Sequence, residues 1–330
     1  MDDVSLAQLF EHARVVPLWT HTGPTLSREP RASEPVCHWK WQDLQGLGQI
    51  VGETVSGAEA ERRVLVFANP GLGGLATTGT LNAALQILNP DETAHPHRHS
   101  IAAIRLITDH DGGVTTVNGV HCPMNAGDLI LTPAWSWHGH FNQTSKRAMW
   151  IDVLDAPLVA SWDGVFFEHP AEEGRLEPER WTNIQIPQMS KLKYPWEEAR
   201  QQLLDAPRNA DGSREVRYMN PDTQGAVLPT IDCHACMIEA DSRTASRRST
   251  ASTLIYVRSG QGVSRVGDNE ISWAANDIFT VPHWQWVDHI ATSAEAFFIK
   301  VSNADMLEKL GLLHVEKNNV RQGDHNDRRG

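Results

Sequence analysis

A segment of the chain occurs twice, and this repeat limits the folds that the chain can adopt. The first copy, residues 126–140, reads AGDLILTPAWSWHGH, and the second copy, residues 275–289, reads ANDIFTVPHWQWVDH. Both copies carry an Asp, a Pro, two Trp residues and a final His in the same register. Because self-similarity of this kind marks one structural unit used twice, the sequence predicts two domains of the same plan. The length of 330 residues accommodates two such domains.

Short apolar segments separated by turn residues surround the first copy of the repeat. Residues 64–67, 81–88, 101–108 and 114–117 are apolar segments, and Asn-Pro, Asp-Gly-Gly and Asn-Gly sequences separate them. Strands of this length and spacing are typical of a β-sandwich or barrel, and an Asn-Gly pair between alternating segments predicts a hairpin at Asn118 and Gly119. The predicted fold class is therefore all-β.

The pattern along the rest of the chain predicts where the two β domains begin and end. Apolar residues at helical spacing predict a helix over residues 5–16, and a second helix is predicted over Trp196–Leu204. The stretch that contains Pro30, Pro35, Trp39 and Trp41 is predicted to be irregular. The predicted organisation is an N-terminal arm at 1–60, a first domain at 61–160, a linker at 161–225, a second domain at 226–315 and a polar tail at 316–330.

Composition excludes several classes of function. The chain has 29 Lys and Arg against 41 Asp and Glu, and a net charge of −12 argues against a nucleic-acid partner. It has no apolar run of 18 residues that would span a membrane, and its acidic N-terminus lacks an apolar signal segment. Four cysteines are too few for a disulfide framework. These features together predict a cytoplasmic protein.

Histidines are concentrated in one part of the chain. Seven of the 16 histidines lie between His95 and His140. His97 and His99 form a His-x-His pair, whose rings lie on one face if the segment is a strand, and His138 and His140 form a second such pair. A single pair is more often a hydrogen-bonded polar face, but two pairs favour a metal site. Imidazole ligands suit Zn, Cu, Fe or Ni, so the spacing leaves the metal open.

The histidine pairs lie within motifs that resemble those of cupins. The segment Gly127-x5-Pro133-x4-His138-x3-Asn142 resembles the second cupin motif, with Trp135 where a Gly is usual, and His97-x-His99 resembles the first. The Glu that follows the first motif in most cupins is missing from residues 100–105. In this respect, and over about residues 39–300, the chain resembles the gentisate 1,2-dioxygenase and salicylate 1,2-dioxygenase family.

The resemblance implies a bicupin, with two double-stranded β-helix (jelly-roll) barrels preceded by a helical arm. It implies an extradiol-type 1,2-dioxygenase that uses Fe(II), held by His97, His99 and His138, and that forms homo-oligomers, in related enzymes tetramers. O₂ would be inserted between the carboxyl- and hydroxyl-bearing carbons of gentisate, salicylate, a 5-substituted salicylate or 1-hydroxy-2-naphthoate. Three neutral ligands leave the iron its full +2 charge, and this charge favours an anionic chelating substrate.

The resemblance also implies roles for residues around the metal. Arg105 would hold the substrate carboxylate, and His140 would hydrogen-bond substrate or oxygen, although His140 could instead replace His138 as the third ligand. The sequence itself adds two candidates. Gln86 is a polar residue within an apolar run, which fits a hydrogen-bond donor that lines the pocket or a simple edge residue, and Asp152 is a candidate for orienting a histidine. Either Arg62 or Arg63 would face the pocket, and the sequence does not decide between them.

The second copy of the repeat lacks this set of histidines. Residues 246–249 read SRRS where the first motif would recur, and Val287 stands in the place of His138. We therefore expect one metal per chain and a structural second barrel. A metal-dependent isomerase on the same site and a non-catalytic binding cupin are the alternative functions.

Overall fold

The computed structural model describes residues 5–20, 27–31, 34–60, 62–108, 112–170, 189–240 and 242–318. Its helices are α1 (Leu6–His12), α2 (Trp41–Thr54), α3 (Gly57–Ala60), α4 (Ala156–Ser161), α5 (Trp196–Asp205) and α6 (Ala304–Lys309), with a 3₁₀ turn at Leu18–Thr20. The first eleven strands are β1 (His38–Trp39), β2 (Arg63–Val66), β3 (Asn82–Leu88), β4 (Thr93–His99), β5 (Ala103–Ile107), β6 (Val114–Val117), β7 (Val120–Pro123), β8 (Leu129–Thr132), β9 (His138–Phe141), β10 (Ala148–Leu154) and β11 (Phe167–Glu168). The others are β12 (Lys193–Tyr194), β13 (Ser213–Arg217), β14 (Asp232–Glu239), β15 (Ser246–Ser249), β16 (Thr253–Ser259), β17 (Gln261–Val266), β18 (Asn269–Ala274), β19 (Ile278–Val281), β20 (Val287–Ala291), β21 (Glu295–Ser302) and β22 (Val315–Asn318).

The strands form two barrels, each made of a six-stranded and a five-stranded sheet. The first barrel combines the sheets β12-β8-β5-β10-β3-β2 and β11-β4-β9-β6-β7. The second combines β1-β19-β16-β21-β14-β13 and β18-β17-β20-β15-β22. The strand orders correspond element by element, which confirms the predicted all-β fold and the repeated plan.

The two barrels pack back to back through their six-stranded sheets. Alternate residues of β3, β5 and β10 point out of the first barrel, and those of β14, β16 and β21 point out of the second, into one shared apolar core. Leu85 and Ile151 belong to this core from the first barrel, and Tyr256 and Ile299 from the second. Each barrel also has its own smaller interior cluster. The shared core therefore stabilises the contact between the two barrels through the burial of apolar surface.

Segments outside the two barrels contribute strands to both of them. Strand β1 precedes the first barrel but pairs with β19 of the second, and β12 follows the first barrel and pairs with its strand β8. Strand β13 extends the second barrel by pairing with β14. The segment predicted as a linker is therefore partly integrated into the sheets, while the exact domain boundaries stay a prediction.

The structure bears out the predicted helices in full or in part, but it corrects the prediction for the irregular arm. The helix over Trp196–Leu204 is confirmed as α5, whereas the helix over residues 5–16 shortens to α1. The prediction that the arm is irregular after Pro30 was wrong for its last part, because α2 begins at Trp41 and buries Trp41 and Leu44 against the shared core. Trp41 thus begins a packed helix, whereas Trp39 belongs to strand β1.

The hairpin at Asn118 and Gly119 is confirmed. Val117 and Val120 are partners across the turn, and both turn residues have positive φ values, 46° for Asn118 and 84° for Gly119. Two-residue hairpins of this kind need positive φ at both central positions, which Asn and Gly adopt most readily.

No helix among the residues that the structure describes has the length and apolarity needed to cross a membrane. All four cysteines are free thiols.

Candidate metal centre

Three histidines from two neighbouring strands converge inside the first barrel. The nearest ligand atoms of His97, His99 and His138 all lie within 4.8 Å of one another. The side chains are buried, and the ring centroids are 4.1 Å apart for His97 and His138 and 4.8 Å apart for His99 and His138. In the described part of the chain this is the one such cluster of His, Cys, Asp or Glu residues. The predicted ligands therefore occupy one small volume, although ligation itself stays a prediction.

A β-bulge sets the register that brings the histidines together. Ala94 pairs with His140, but His97 pairs with His138, so one extra residue is accommodated in β4. The bulge contains Pro96, and a bulge is one of the few places in a sheet that tolerates a proline. Opposite the bulge, a Cβ on Gly139 would lie 3.1 Å from the Ala94 carbonyl oxygen. Glycine between the two histidines of β9 thus permits the close approach of the strands.

The Nδ1 atom of each triad histidine is hydrogen-bonded to a main-chain carbonyl oxygen. Nδ1 of His97 is 3.2 Å from the oxygen of His95, and that of His99 is 2.7 Å from the oxygen of Ile101. Nδ1 of His138 is 2.8 Å from the oxygen of Ser136. A carbonyl oxygen can only accept, so the ring protons lie on Nδ1 and the Nε2 lone pairs are left for a metal.

Burial keeps these imidazoles neutral. Burial and then the charge of Arg62 lower the pKa of His97 to about 3. Burial also lowers the pKa of His99, and burial followed by the neighbouring His97 lowers that of His138 well below its ordinary range. Metal ligation requires neutral imidazole, so the site is ready for a metal at neutral pH. The donor set of three nitrogens fits Fe(II) as well as other imidazole-binding metals.

The structure decides which arginine of the 62–63 pair faces the histidines. The Arg62 guanidinium contacts the Nε2 atom of His97 and lies 5.1 Å from the centroid of the Phe167 ring. Arg63 points away and makes a double hydrogen bond to Glu92 at 2.6 and 2.9 Å. Arg62 thus places a positive charge beside the triad, and it would have to leave the Nε2 atom of His97 for that atom to bind a metal.

Arg105 belongs to a buried network beside the triad. Its Nε and Nη2 atoms donate to both carboxylate oxygens of Asp152 at 2.8 and 3.0 Å. Its Nη1 atom lies 2.5 Å from the Thr115 hydroxyl and 2.6 Å from Nδ1 of His140, and its guanidinium stacks 4.6 Å from the ring centroid of Trp150. Arg105 therefore already has a carboxylate partner within the protein, and its predicted contact with a substrate carboxylate stays a prediction.

Two further predictions are affected by this network. The prediction that Asp152 orients a histidine was wrong, because its partners are Arg105 and the Nε1–H group of Trp150. His140 is fully buried, and burial followed by the charge of Arg105 lowers its pKa well below the ordinary range. Its ring centroid is 5.9 Å from that of His138, and it lies outside the group of three ligand atoms. The structure thus favours His138 over His140 as the third ligand.

Gln86 lies on β3 directly opposite Trp150 of β10. Residues that face each other across an antiparallel pair share a side of the sheet, so Gln86 points into the barrel interior on the same side as Arg105 and Asp152. Gln86 is buried, and its side chain forms no hydrogen bond with another described residue. A buried amide of this kind is available to a ligand, and the substrate-binding role stays a prediction.

Sequence reasoning missed Phe167 and Thr115. The Phe167 ring stacks on His97 at 5.2 Å between centroids and is half exposed, but it lies in the predicted linker, where no pattern connects it with β4. The pairing of Phe167 with His99 through strand β11 arises only in the folded barrel.

Trp135 occupies a position where the usual motif has glycine, and Trp284 is its counterpart in the second copy of the repeat. Both have a positive φ, 63° and 61°, a conformation that favours the usual glycine. The Trp135 N–H donates to the carbonyl oxygen of His99 at 2.7 Å. This hydrogen bond ties the turn before β9 to the end of β4 and so helps to hold the triad.

Two antiparallel barrels and one histidine triad define the class of this protein as a bicupin with a candidate metal centre in its first barrel. A cupin-domain family model matches residues 84–154. Gentisate 1,2-dioxygenase 1 of Aquipseudomonas alcaligenes is 33% identical over 92% of this chain and 93% of its own length. A 5-aminosalicylate 1,2-dioxygenase of a Comamonas species is 32% identical over 91% of this chain and 86% of its own length.

The crystal structure of salicylate 1,2-dioxygenase from Pseudoaminobacter salicylatoxidans with gentisate has a TM-score of 0.86 to this chain at 31% identity, covering 95% of this chain and 93% of the other. The chain belongs to the gentisate and salicylate 1,2-dioxygenase family, a family of ring-cleaving oxidoreductases.

Proposed function

We propose that this protein is an Fe(II)-dependent, extradiol-type 1,2-dioxygenase that acts in the catabolism of aromatic acids. Its substrate would be gentisate, salicylate or a 5-substituted salicylate such as 5-nitrosalicylate, with O₂ inserted between the carboxyl- and hydroxyl-bearing carbons. The observation that carries the proposal is the triad of neutral, Nδ1-anchored histidines with the Arg62 cation beside it. Family membership supports the same reaction.

The charge at the site selects the class of substrate. None of the three candidate ligands is a carboxylate, and Arg62 adds a further positive charge. A group that brings two negative oxygens, one from a carboxylate and one from a phenolate, compensates these charges in a buried site where they are otherwise costly. When bound, Fe(II) would supply coordination positions on which the substrate oxygens and O₂ come together.

The residues around the triad would position the substrate and its protons. Arg62 would attract the carboxylate, and Phe167 would stack beside the aromatic ring at the edge of the site. Arg105 contacts Nδ1 of His140 and so orients this ring to donate a hydrogen bond to a substrate oxygen. Arg105 itself would reach the carboxylate if the substrate displaced one of its present partners. The Gln86 amide would provide a further hydrogen bond to the substrate.

We also propose that the protein works in the cytoplasm as a homo-oligomer, with a homotetramer as the expected state. Free thiols at all four cysteines support a reducing compartment. Helix α1 supports association, because it exposes Leu6 and Leu9 and buries none of its residues against its own chain. Light scattering of the purified protein would give the molar mass, and a mass of one chain would contradict this proposal.

The proposed activity is tested by anaerobic loading with Fe(II) followed by measurement of O₂ uptake. We expect uptake with at least one acid among gentisate, salicylate, 5-aminosalicylate and 5-nitrosalicylate, with no uptake on 3-hydroxybenzoate, which cannot chelate through adjacent groups. A protein that holds one iron per chain and consumes no O₂ with any of these acids would contradict the proposal. Conversion of a substrate without O₂ would indicate an isomerase, and binding without conversion would indicate a binding protein.

A further inference from the structure

The second barrel contains a cavity at the place that corresponds to the metal centre of the first. In the first barrel His97 is the partner of His138, and in the second Arg247 is the partner of Val287. The cavity has a volume of about 200 Å³, and both Arg247 and Val287 line it. The barrel has thus exchanged the imidazole pair for a cation and an apolar side chain while keeping an internal space.

Positive charge exceeds negative charge in this cavity. Lys300, which is buried, donates to Oε2 of Glu215 at 2.6 Å, and the Arg247 guanidinium lies 3.9 Å from the same oxygen. His234 contacts the other oxygen of Glu215 at 2.9 Å. Although burial opposes it, Lys300 lowers the pKa of Glu215, so this carboxylate is ionised. Glu215 therefore faces two permanent cations, Lys300 and Arg247, and Arg247 has the weaker of the two contacts. The third cation of the lining, Arg248, is paired with Glu316 at 2.7 Å.

His289 adds a polar side chain to the wall of the cavity. The Trp273 Nε1–H group donates to the Ser264 hydroxyl oxygen at 2.8 Å, and that hydroxyl lies 2.7 Å from Nδ1 of His289. The buried hydroxyl proton has an acceptor only if Ser264 donates to Nδ1, which leaves the imidazole proton on Nε2. Burial and then Lys300 and Arg247 lower the pKa of His289 to about 3, so the ring is neutral. Among the described residues Nε2 of this buried ring has no hydrogen-bond partner, and His289 lines the cavity.

The rest of the cavity wall is mostly apolar. Five of its apolar members are Ile255, Val281, Val287, Leu313 and Val315. A cavity of about 150 Å³ with such a lining is known to admit a benzene-sized guest. The volume and lining therefore suit a ligand with a small apolar body and a single anionic group.

We propose that the second barrel binds a small monocarboxylate of benzoate size, with the carboxylate on Arg247 and the Nε2–H group of His289 and the apolar body against the valine and isoleucine wall. This binding site is separate from the histidine triad and does not rest on the proposed dioxygenase activity. A guanidinium paired with an N–H donor matches the two oxygens of a carboxylate, and the unbalanced charge of Arg247 is compensated by the ligand.

The test is a titration of the Fe(II)-loaded protein with 4-fluorobenzoate, under argon, by calorimetry and ¹⁹F NMR. We expect saturable binding, of which one equivalent is retained in His99→Ala, in which the triad is broken. Arg247→Gln is expected to weaken this binding at least about tenfold because it removes a charge-assisted hydrogen bond. Arg247→Lys keeps the charge without the two-pronged geometry and should bind with intermediate affinity.

The matched control is Arg265→Gln, which removes the same charge from an exposed position of the same barrel. It should bind 4-fluorobenzoate as the wild type does. The proposal is overturned if the wild type does not bind the probe, if binding disappears in His99→Ala, or if Arg247→Gln and Arg247→Lys both bind as tightly as the wild type. Far-ultraviolet circular dichroism shows whether each variant is folded, and Arg247→Lys serves as the test if Arg247→Gln is not.

Discussion

Single hydrogen bonds at Nδ1 determine what the triad histidines can do. The carbonyl oxygens of His95, Ile101 and Ser136 fix the ring protons, so that each Nε2 atom presents a lone pair. The acceptors are main-chain atoms close in sequence, which makes the orientation of each ring a local property of its strand. The geometry is therefore largely set before any metal binds.

Replacement of one triad residue tests the ligand assignment. We expect His99→Ala to abolish stable binding of Fe(II), because two protein ligands seldom retain a divalent transition metal. Metal content per chain, measured after anaerobic loading and desalting, reports the result. His121→Ala, which changes an exposed histidine of β7, should keep the wild-type content. Full iron content in His99→Ala would show that the ligand assignment is wrong.

Arg105 and Asp152 form a buried ion pair whose contribution to stability can be measured. Both side chains are buried, so removal of the arginine leaves the carboxylate in the barrel interior without its cationic partner. We expect Arg105→Ala to lower the free energy of unfolding by about 3–5 kcal/mol. Urea denaturation of the metal-free protein measures this change. Arg265→Ala, which breaks the exposed pair with Glu270, should cost no more than about 1 kcal/mol, and an equal cost for both variants would contradict the role of burial.

At the scale of elements, irregularities of the strands position the site. The bulge in β4 aligns His97 with His138, and the positive φ of Trp135 allows its N–H group to bond to the end of β4. Regular strands would keep Ala94 and His140 in register but would shift the histidines of β4 relative to those of β9. The bulge and the unusual backbone conformation thus contribute to the binding site of the barrel.

Two glycine replacements of the same kind should have opposite effects on stability. Gly119 has a φ of 84°, and a Cβ at that position would meet no atom within 4 Å, so Gly119→Ala is opposed by backbone conformation alone. We expect a loss of about 1–2 kcal/mol in the free energy of unfolding. Gly46, within α2, is equally open, but helical backbone favours alanine, so Gly46→Ala should stabilise by about 0.4–1 kcal/mol. Urea denaturation distinguishes the two signs, and destabilisation by both variants would contradict this account.

At the scale of the whole molecule, the two barrels share a core but differ in their interiors. The outward faces of the six-stranded sheets form one apolar layer, and β1 links the N-terminal segment to the second barrel. The interior of the first barrel holds neutral histidines beside Arg62 and Arg105, whereas the second holds Lys300, Glu215 and Arg247. The same architecture thus supports a candidate metal centre in one half and a charged cavity in the other.

Histidines buried in the neutral form make the whole molecule sensitive to acid. The pKa values of His97 and His289 are lowered to about 3, below the value of roughly 6.5 expected in the unfolded chain. As pH falls from 6.5 towards 3, the unfolded chain takes up protons that the folded chain does not, so stability is present above pH 6.5 and decreases through this range. Between pH 7 and pH 5, each such histidine lowers the free energy of unfolding by about 2 kcal/mol.

His289→Gln tests this contribution away from the triad. Glutamine retains an acceptor for the Ser264 hydroxyl but cannot take up a proton. We therefore expect the variant to lose about 2 kcal/mol less than the wild type between pH 7 and pH 5 in urea denaturation of the metal-free protein. His121→Gln, which makes the same replacement at an exposed position, is the control for the substitution itself. An unchanged pH dependence in His289→Gln would show that this ring does not resist protonation in the folded state.

The sequence by itself determined the repeated β plan, the hairpin at Asn118 and Gly119, helix α5 and the three histidines of the triad. These features depend on periodicity within one strand or helix, or on motifs a few residues long, and such signals are local. It did not reveal helix α2, whose Trp41 is explained only by packing against the shared core.

Tertiary structure decided which side chains meet across strands. It turned Arg62 towards the triad and Arg63 towards Glu92, paired Arg105 with Asp152, and brought Phe167 onto His97 from a segment predicted as a linker. It also collected Arg247, Lys300 and His289 in one cavity. Partners of this kind come from strands far apart in sequence, and their contacts depend on register, bulges and barrel closure, which no local pattern encodes.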